Sequence, residues 1–253
     1  MKKILVAGGA GYVGCQLISK LLDLGYYVYC YDILIYGDNS IKNFSNYKNF
    51  EFIKGDIREP QNIAKILTSV DTVINLAAIV GDKPCQSAPN SAYQINFLGN
   101  KKLAEISKKS NVKKYIFAST CSNYGASLND EYLSENSKLN PVSLYAESKI
   151  DSEKKLTEMS SNEFATVSLR FGTAYGKSFR TRFDLTINSF SYEAYYNNEL
   201  IVFAPETWRP YVHIKDMANI IIKIINTNPS KYNGLILNAG FTNENYKKSD
   251  IIE

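Results

Sequence analysis

Tyr145 and Lys149 stand four residues apart in Tyr145-Ala-Glu-Ser-Lys149, a spacing that puts a phenol and an ammonium on one face of a helix. A cation beside a phenol favours the phenolate and lowers the tyrosine pKa towards the range of a useful general base. Spacing alone selects little in a chain with 19 tyrosines, and Tyr211/Lys215 repeats it. Context separates the two pairs. The run Ser119-Thr120-Cys121-Ser122-Asn123-Tyr124-Gly125 follows an apolar stretch ending at Ala118. Read alone it is a polar turn. At the carboxyl end of a parallel strand, however, such hydroxyls face the crevice where these sheets bind ligands. Thr120 is thus expected to hydrogen-bond the oxygen of a reacting hydroxyl or carbonyl, and Tyr211 lacks any such neighbour.

A second constellation lies at the N-terminus. Gly8-Gly9-Ala10-Gly11-Tyr12-Val13-Gly14 separates an apolar run from a segment of helical periodicity. Glycines there let the backbone approach a pyrophosphate, and the helix start offers unsatisfied N–H groups and the positive end of its dipole. Gly14 is expected to permit close packing of helix on strand. Asp32 closes the next apolar run, where a carboxylate accepts ribose hydroxyls and repels a 2′-phosphate, favouring NAD over NADP. Its other ordinary use is to start a turn. Asp56-Ile57, after a further run, is a candidate for contact with adenine.

These residues need a scaffold that gathers strand ends. Short apolar runs at Lys2–Ala7, Tyr27–Tyr31, Phe50–Lys54, Thr72–Asn75 and Lys114–Ala118 alternate with amphipathic, helix-length segments. That alternation predicts an α/β fold, a Rossmann-type doubly wound parallel sheet covered on both faces. Helices are expected at 12–24, where Val13, Leu17, Ile18, Leu21 and Leu22 recur at helical spacing, and near 61–68, 92–110 and 143–159. A strand at 165–170, a helix at 184–197, a strand at 200–203 and a helix at 215–226 follow. The chain divides into a dinucleotide-binding domain over 1–171 and a smaller substrate-binding lobe over 172–253, interleaved with the first.

Composition excludes other classes. The chain has 253 residues, 45% of them hydrophobic and 21% charged, as in ordinary globular proteins. Its net charge of +4 comes from interleaved signs with no basic block, so nucleic acid is not an expected partner. No apolar run reaches the roughly 20 residues of a membrane span, and glycines interrupt the N-terminal run too early for a signal peptide. Cys15, Cys30, Cys85 and Cys121 are scattered, which speaks for reduced thiols in the cytoplasm and against a disulfide framework or a metal site.

Taken together, these pieces resemble the extended short-chain dehydrogenase/reductases, specifically the NAD-dependent sugar-nucleotide epimerase/dehydratase family. The resemblance is carried in order by GGAGYVG at 8–14, Asp32, GDIR at 55–58, NLAA at 75–78, Asn96, STCSNYG at 119–125, YAESK at 145–149, RFGTAYG at 170–176 and RPYVHIKD at 209–216. It implies NAD contacts at Gly8, Gly11, Tyr12, Val13, Gly14, Asp32, Asp56, Ile57, Leu76, Ala77, Ala78, Asn96, Ser119, Tyr145 and Lys149. It implies Thr120, Tyr145 and Lys149 as catalytic residues, and a nucleotide-sugar substrate bound by Thr120, Ser122, Tyr145, Arg182 and Arg209, whose guanidinium suits a diphosphate. His213 is expected to be structural. AAIVGDKPC and FRTRFDLTIN are similar to a subgroup of sugar- and heptose-nucleotide 4-epimerases and 4-dehydrogenases.

The implied activity is oxidation and reduction at C4 of the sugar, in a 4-epimerase. The alternatives are a net 4-dehydrogenase or ketoreductase, and a non-catalytic NAD-binding regulator. Dehydratases of the family carry Asp-Glu after the threonine; Cys121 and Ser122 stand there, which argues against dehydration. Gly172 and Thr173 also depart from the common epimerase pattern. Family members are commonly longer, so the lobe ending at Glu253 is expected to be incomplete. A homodimer through the helices near 92–110 and 143–159 is a further implication.

Overall fold

Alternation along Lys3–Ala7 (β1) sends Ile4 and Val6 to one face of a sheet and Leu5 and Ala7 to the other, and all four are fully buried. The computed structural model describes residues 1–125, 132–197 and 199–252. After β1 come α1 (Tyr12–Asp23), β2 (Tyr27–Asp32), α2 (Asn39–Lys42), β3 (Phe50–Lys54), α3 (Ala64–Leu67) and β4 (Thr72–Asn75). Next are α4 (Asp82–Ser87), α5 (Pro89–Tyr93), α6 (Asn100–Lys109), β5 (Lys114–Thr120), α7 (Leu144–Met159) and β6 (Ala165–Phe171). The remainder comprises β7 (Thr173–Tyr175), α8 (Thr186–Asn197), β8 (Trp208–His213), α9 (Ile214–Asn226), β9 (Leu235–Ala239) and β10 (Asn245–Lys247).

Seven strands form one parallel sheet in the order β3-β2-β1-β4-β5-β6-β9. Helices α1 and α9 pack together on one face over Ile4, Val6, Val28, Ile74 and Leu169. On the other face Leu67, Leu103 and Leu156, from α3, α6 and α7, cover Leu5, Val73 and Phe117. Apolar side chains fully removed from water in this way contribute about 1.5–3 kcal/mol each. The doubly wound expectation holds.

Several details differ from the expectations. The helix expected near 61–68 is a 3-10 turn, Pro60–Ile63, followed by α3. The one expected over 92–110 is interrupted by a π-helical segment, Gln94–Gly99, between α5 and α6. Residues 200–203 form no strand: Ile201 and Phe203 are exposed, and an apolar run with no neighbouring strand has nothing to pair with. Segments after residue 171 return to the main body: α9 packs on α1 and β9 pairs with β6 inside the main sheet. Outside that sheet lie α8 and a three-stranded sheet of order β10-β8-β7.

Candidate functional site

A cleft of about 680 Å³ opens at the carboxyl ends of β1, β4 and β5, where the strand order reverses between β1 and β4. Such switch points are where open α/β sheets receive ligands. Gly8, Gly11, Tyr12, Val13 and Gly14 line it. Gly8 has φ +77°, and a Cβ there would lie 2.6 Å from the Ala77 amide nitrogen. A Cβ at Gly14 would lie 2.5 Å from the Gly8 carbonyl oxygen and 2.6 Å from that of Gly9. Gly14 therefore seats the helix on the turn itself rather than on the strand. No side chain caps α1 at Gly11, which leaves the donors of its first turn for a bound anion.

Asp32 at the end of β2 lines the cleft while its carboxylate accepts the N–H of Ala10 at 3.0 Å and of Leu34 at 2.8 Å. The turn-starting use and the cleft position thus coexist in one side chain, and Leu34 takes the left-handed conformation, φ +63°, that this turn demands. Asp56, Ile57, Leu76, Ala77 and Ala78 also face the cleft, and Asp56 is clamped by Arg58 through Nε at 2.9 Å. Asn96 is placed differently. It is buried off the cleft, where it accepts the Ile79 N–H at 2.8 Å and donates to the Ile79 carbonyl at 2.9 Å. It thereby shapes the loop after β4 from the π-helical segment.

Thr120, Tyr145 and Lys149 meet in the same cleft, with Ser119 and Ser122 beside them. Ser143 caps α7 through its side chain, accepting the Ala146 N–H at 3.3 Å, so the helix that carries Tyr145 and Lys149 starts at a fixed point. Lys149 Nζ donates to the Ala118 carbonyl at 2.7 Å and lies 4.5 Å from the Phe117 ring centroid and 5.8 Å from that of Tyr145. Burial pushes Lys149 down to about 8, with Glu153 and Cys85 opposing. Thr120 Oγ1 accepts the Ser122 N–H at 3.1 Å, which leaves its hydroxyl proton to be donated elsewhere.

The electrostatics of Tyr145 bring in a second cation. Burial pushes its phenol well above the ordinary range, and the cation that pulls it back is Arg182, with a hydrogen bond from Thr120 assisting. Lysine at four-residue spacing is near, but its ammonium is turned to the Ala118 carbonyl. Cys121, at the same cleft, is pushed by burial up to about 11.

Arg182 arrives from the far lobe. The Tyr12 hydroxyl donates to the Gly176 carbonyl at 2.6 Å, Ser178 Oγ donates to the Tyr12 carbonyl at 2.7 Å, and Asn188 Nδ2 holds the Arg182 carbonyl at 2.9 Å. These bonds strap residues 176–184 across the cleft. Arg182 is paired with Asp184, while Arg180 sits 3.6 Å from the Tyr36 ring centroid. Tyr36 and Arg180 are cleft residues that the sequence did not single out, since they stand 144 positions apart and no local pattern links them. Arg209 is exposed and is not among the residues lining the cleft. His213 caps α9, its Nδ1 accepting the Lys215 N–H at 3.1 Å. Tyr211 is buried away from the cleft.

Among the described residues no group of three or more His, Cys, Asp or Glu could hold a metal, and no helix is long and apolar enough to cross a membrane. The model of the NAD-dependent epimerase/dehydratase family matches residues 4–240. A protein of Bacillus subtilis named as an uncharacterized UDP-glucose epimerase, YtcB, is 30% identical over 236 residues, 88% of this chain and 72% of its own. A putative UDP-glucose 4-epimerase of Methanocaldococcus jannaschii is 30% identical over 229 residues, 88% of this chain and 73% of its own. A solved UDP-glucuronic acid 4-epimerase of Bacillus cereus, in complex with UDP-glucuronic acid and NAD, has a TM-score of 0.88 at 28% identity, covering 99% of this chain and 81% of its own.

Proposed function

Because the chain belongs to the NAD-dependent epimerase/dehydratase family, we propose that it interconverts nucleotide sugars epimeric at C4, using NAD as a resident cofactor. One observation carries this reading: Thr120, Tyr145 and Lys149 share a single cleft with the uncapped start of α1. The glycine turn and the first turn of α1 suit a diphosphate, and Asp32 suits a ribose. The groups at the turn fit the cofactor, since a helix start without a capping side chain binds anions through its own amides. When bound, NAD supplies the reversible two-electron oxidation that turns a secondary hydroxyl into a ketone and back.

The chain's own residues handle the proton and the position. Tyr145 takes the proton of the C4 hydroxyl and later returns it to the same oxygen. Thr120 donates its hydroxyl to that oxygen, for which its own acceptor bond to Ser122 N–H orients it. Positive charge is what this phenol needs, because burial alone holds it protonated; Arg182 supplies part of it. Lys149 fixes the α7 face against the end of β5 through the Ala118 carbonyl. Arg182 and the exposed Arg209 are assigned to the substrate diphosphate; Ser122 is assigned to the sugar.

Dehydration is disfavoured on chemical grounds. The position after Thr120 holds a thiol that burial keeps neutral at physiological pH, Cys121 at about 11, and not a carboxylic acid. The names of the relatives favour UDP-sugars, and incubation with UDP-glucose, UDP-N-acetylglucosamine and UDP-glucuronic acid tests this. The expected result is the C4 epimer of one of them without net NADH. Stoichiometric NADH would indicate a net dehydrogenase. No product from any nucleotide sugar, with NAD bound, would reject the enzymatic reading. Replacing Tyr145 by Phe is expected to lower turnover by about 10²–10⁴ in protein that still binds NAD. A homodimer belongs to the same proposal, and sedimentation equilibrium tests it.

A further inference from the structure

Tyr145, Lys149 and Glu153 follow one another at four-residue steps along one face of α7. Glu153 is 1% exposed, and the chemistry above makes no use of it. Its Oε1 accepts Ser119 Oγ at 2.5 Å, Asn123 Nδ2 at 2.9 Å and Arg170 Nε at 2.9 Å, and its Oε2 accepts Arg170 Nη2 at 2.7 Å. Arg170 Nη1 goes on to the Tyr124 hydroxyl at 3.0 Å, which donates to Asn238 Oδ1 at 2.6 Å. One carboxylate therefore joins α7, the end of β5 beside Thr120, the turn after it, β6 and, through Arg170 and Tyr124, β9. A buried ion pair is a weak source of stability compared with apolar packing of the same volume. What it supplies here is fixed geometry between the two elements that carry the reactive groups.

We propose that Glu153 is a positioning residue, whose carboxylate locks the strand end bearing Thr120 against the helix bearing Tyr145 and Lys149, one helical turn from Lys149. The inference rests on the reading of this cleft as the catalytic site. The titratable groups facing Lys149 are Glu153 and Tyr145 on its own helix and Cys85 from α4; β5 contributes the Ala118 carbonyl and the Phe117 ring. Of these, Glu153 is the carboxylate that opposes the loss of the lysine proton on burial. Without it the ammonium gives up its proton closer to neutral pH, and the donor to Ala118 weakens.

The test follows Lys149 directly by ¹⁵N NMR of lysine-labelled protein through a pH titration, with Lys149→Met assigning the signal. The wild-type midpoint is expected near pH 8. Glu153→Gln is expected to weaken the proton affinity of Lys149 about tenfold, at the low end for removal of one opposite charge, and Glu153→Asp to restore most of it. Where turnover is measured, the kcat loss in Glu153→Gln shrinks as pH is lowered, a recovery that mere structural damage does not produce. Glu153→Gln leaves Arg170 buried without a counter-charge, so the double variant Glu153→Gln/Arg170→Gln is carried alongside. A midpoint unmoved in either folded variant overturns the proposal. So does failure of both to fold, since the pair would then serve the fold first. The NMR titration needs no substrate, so a failed sugar-nucleotide reading shows as missing product with the titration intact.

Discussion

Replacing Gly14 by Ala tests how the cofactor turn is built. The added Cβ would meet the Gly8 oxygen at 2.5 Å, the Gly9 oxygen at 2.6 Å and Gly9 Cα at 2.7 Å. All three are backbone atoms, and none can swing aside as a side chain would. In a close-packed interior, α1 must withdraw by roughly 1 Å or the turn must deform. Overpacking of this kind costs about 1–3 kcal/mol. Alanine recovers up to about 1 kcal/mol through its better helix propensity, but withdrawal also loosens Leu17, Ile18 and Leu21, which are fully buried on α1. A net loss of about 2 kcal/mol is expected, equivalent to a fall in Tm of roughly 4–8 °C for a domain of this size. NAD affinity is expected to fall at least about tenfold, or ~1.4 kcal/mol, because the donors of the first turn move with the helix. Gly25→Ala is the matched control: at φ +79° with nothing within 4 Å of its Cβ, it costs about 1–2 kcal/mol through the left-handed backbone alone. Its NAD affinity should not change. Calorimetric titration with NAD and thermal unfolding read both variants. If Gly14→Ala binds NAD within twofold of wild type, or Gly25→Ala weakens it equally, the reasoning about the turn is wrong.

Two further outcomes follow from the site's electrostatics. Arg182→Met removes the cation that pulls the Tyr145 phenol down, so the rising limb of kcat against pH should move to higher pH, with turnover near neutrality down about 10–100-fold for each one to two units of displacement; an unmoved limb would show that Arg182 does not act on Tyr145. His213 is held below its usual value of 6.5, by burial first, and its neutral Nδ1 caps α9. A base with a depressed folded pKa contributes stability that is present above the unfolded value and lost as pH falls through the folded one. Wild-type Tm should therefore drop as pH falls below the usual histidine value of 6.5, relative to His213→Asn, a capping residue that does not titrate; parallel curves would contradict this.

The parts of the site that local sequence could specify are where the motifs put them. The glycine turn lies between β1 and α1, Asp32 closes β2, and Thr120, Tyr145 and Lys149 reach one cleft. The short-range signals that failed did so where a distant partner decides. Residues 200–203 have the apolar pattern of a strand but no neighbour to bond, whereas β9 exists because β6 offers it an edge.

By itself, then, the sequence determined the alternating strands and helices of the first half and the residue types at the ends of the first strands, because a repeat of two or of 3.6 residues and the chemistry of glycine at a turn are local properties. Tertiary structure alone decided that Arg182 is brought to act on Tyr145, that Asn96 clamps Ile79, and that Glu153 and Arg170 bind the strand end to the helix. Desolvation, pairing of buried charge and the meeting of strand edges depend on which distant residues are brought within a few ångströms, and no spacing along the chain encodes that distance.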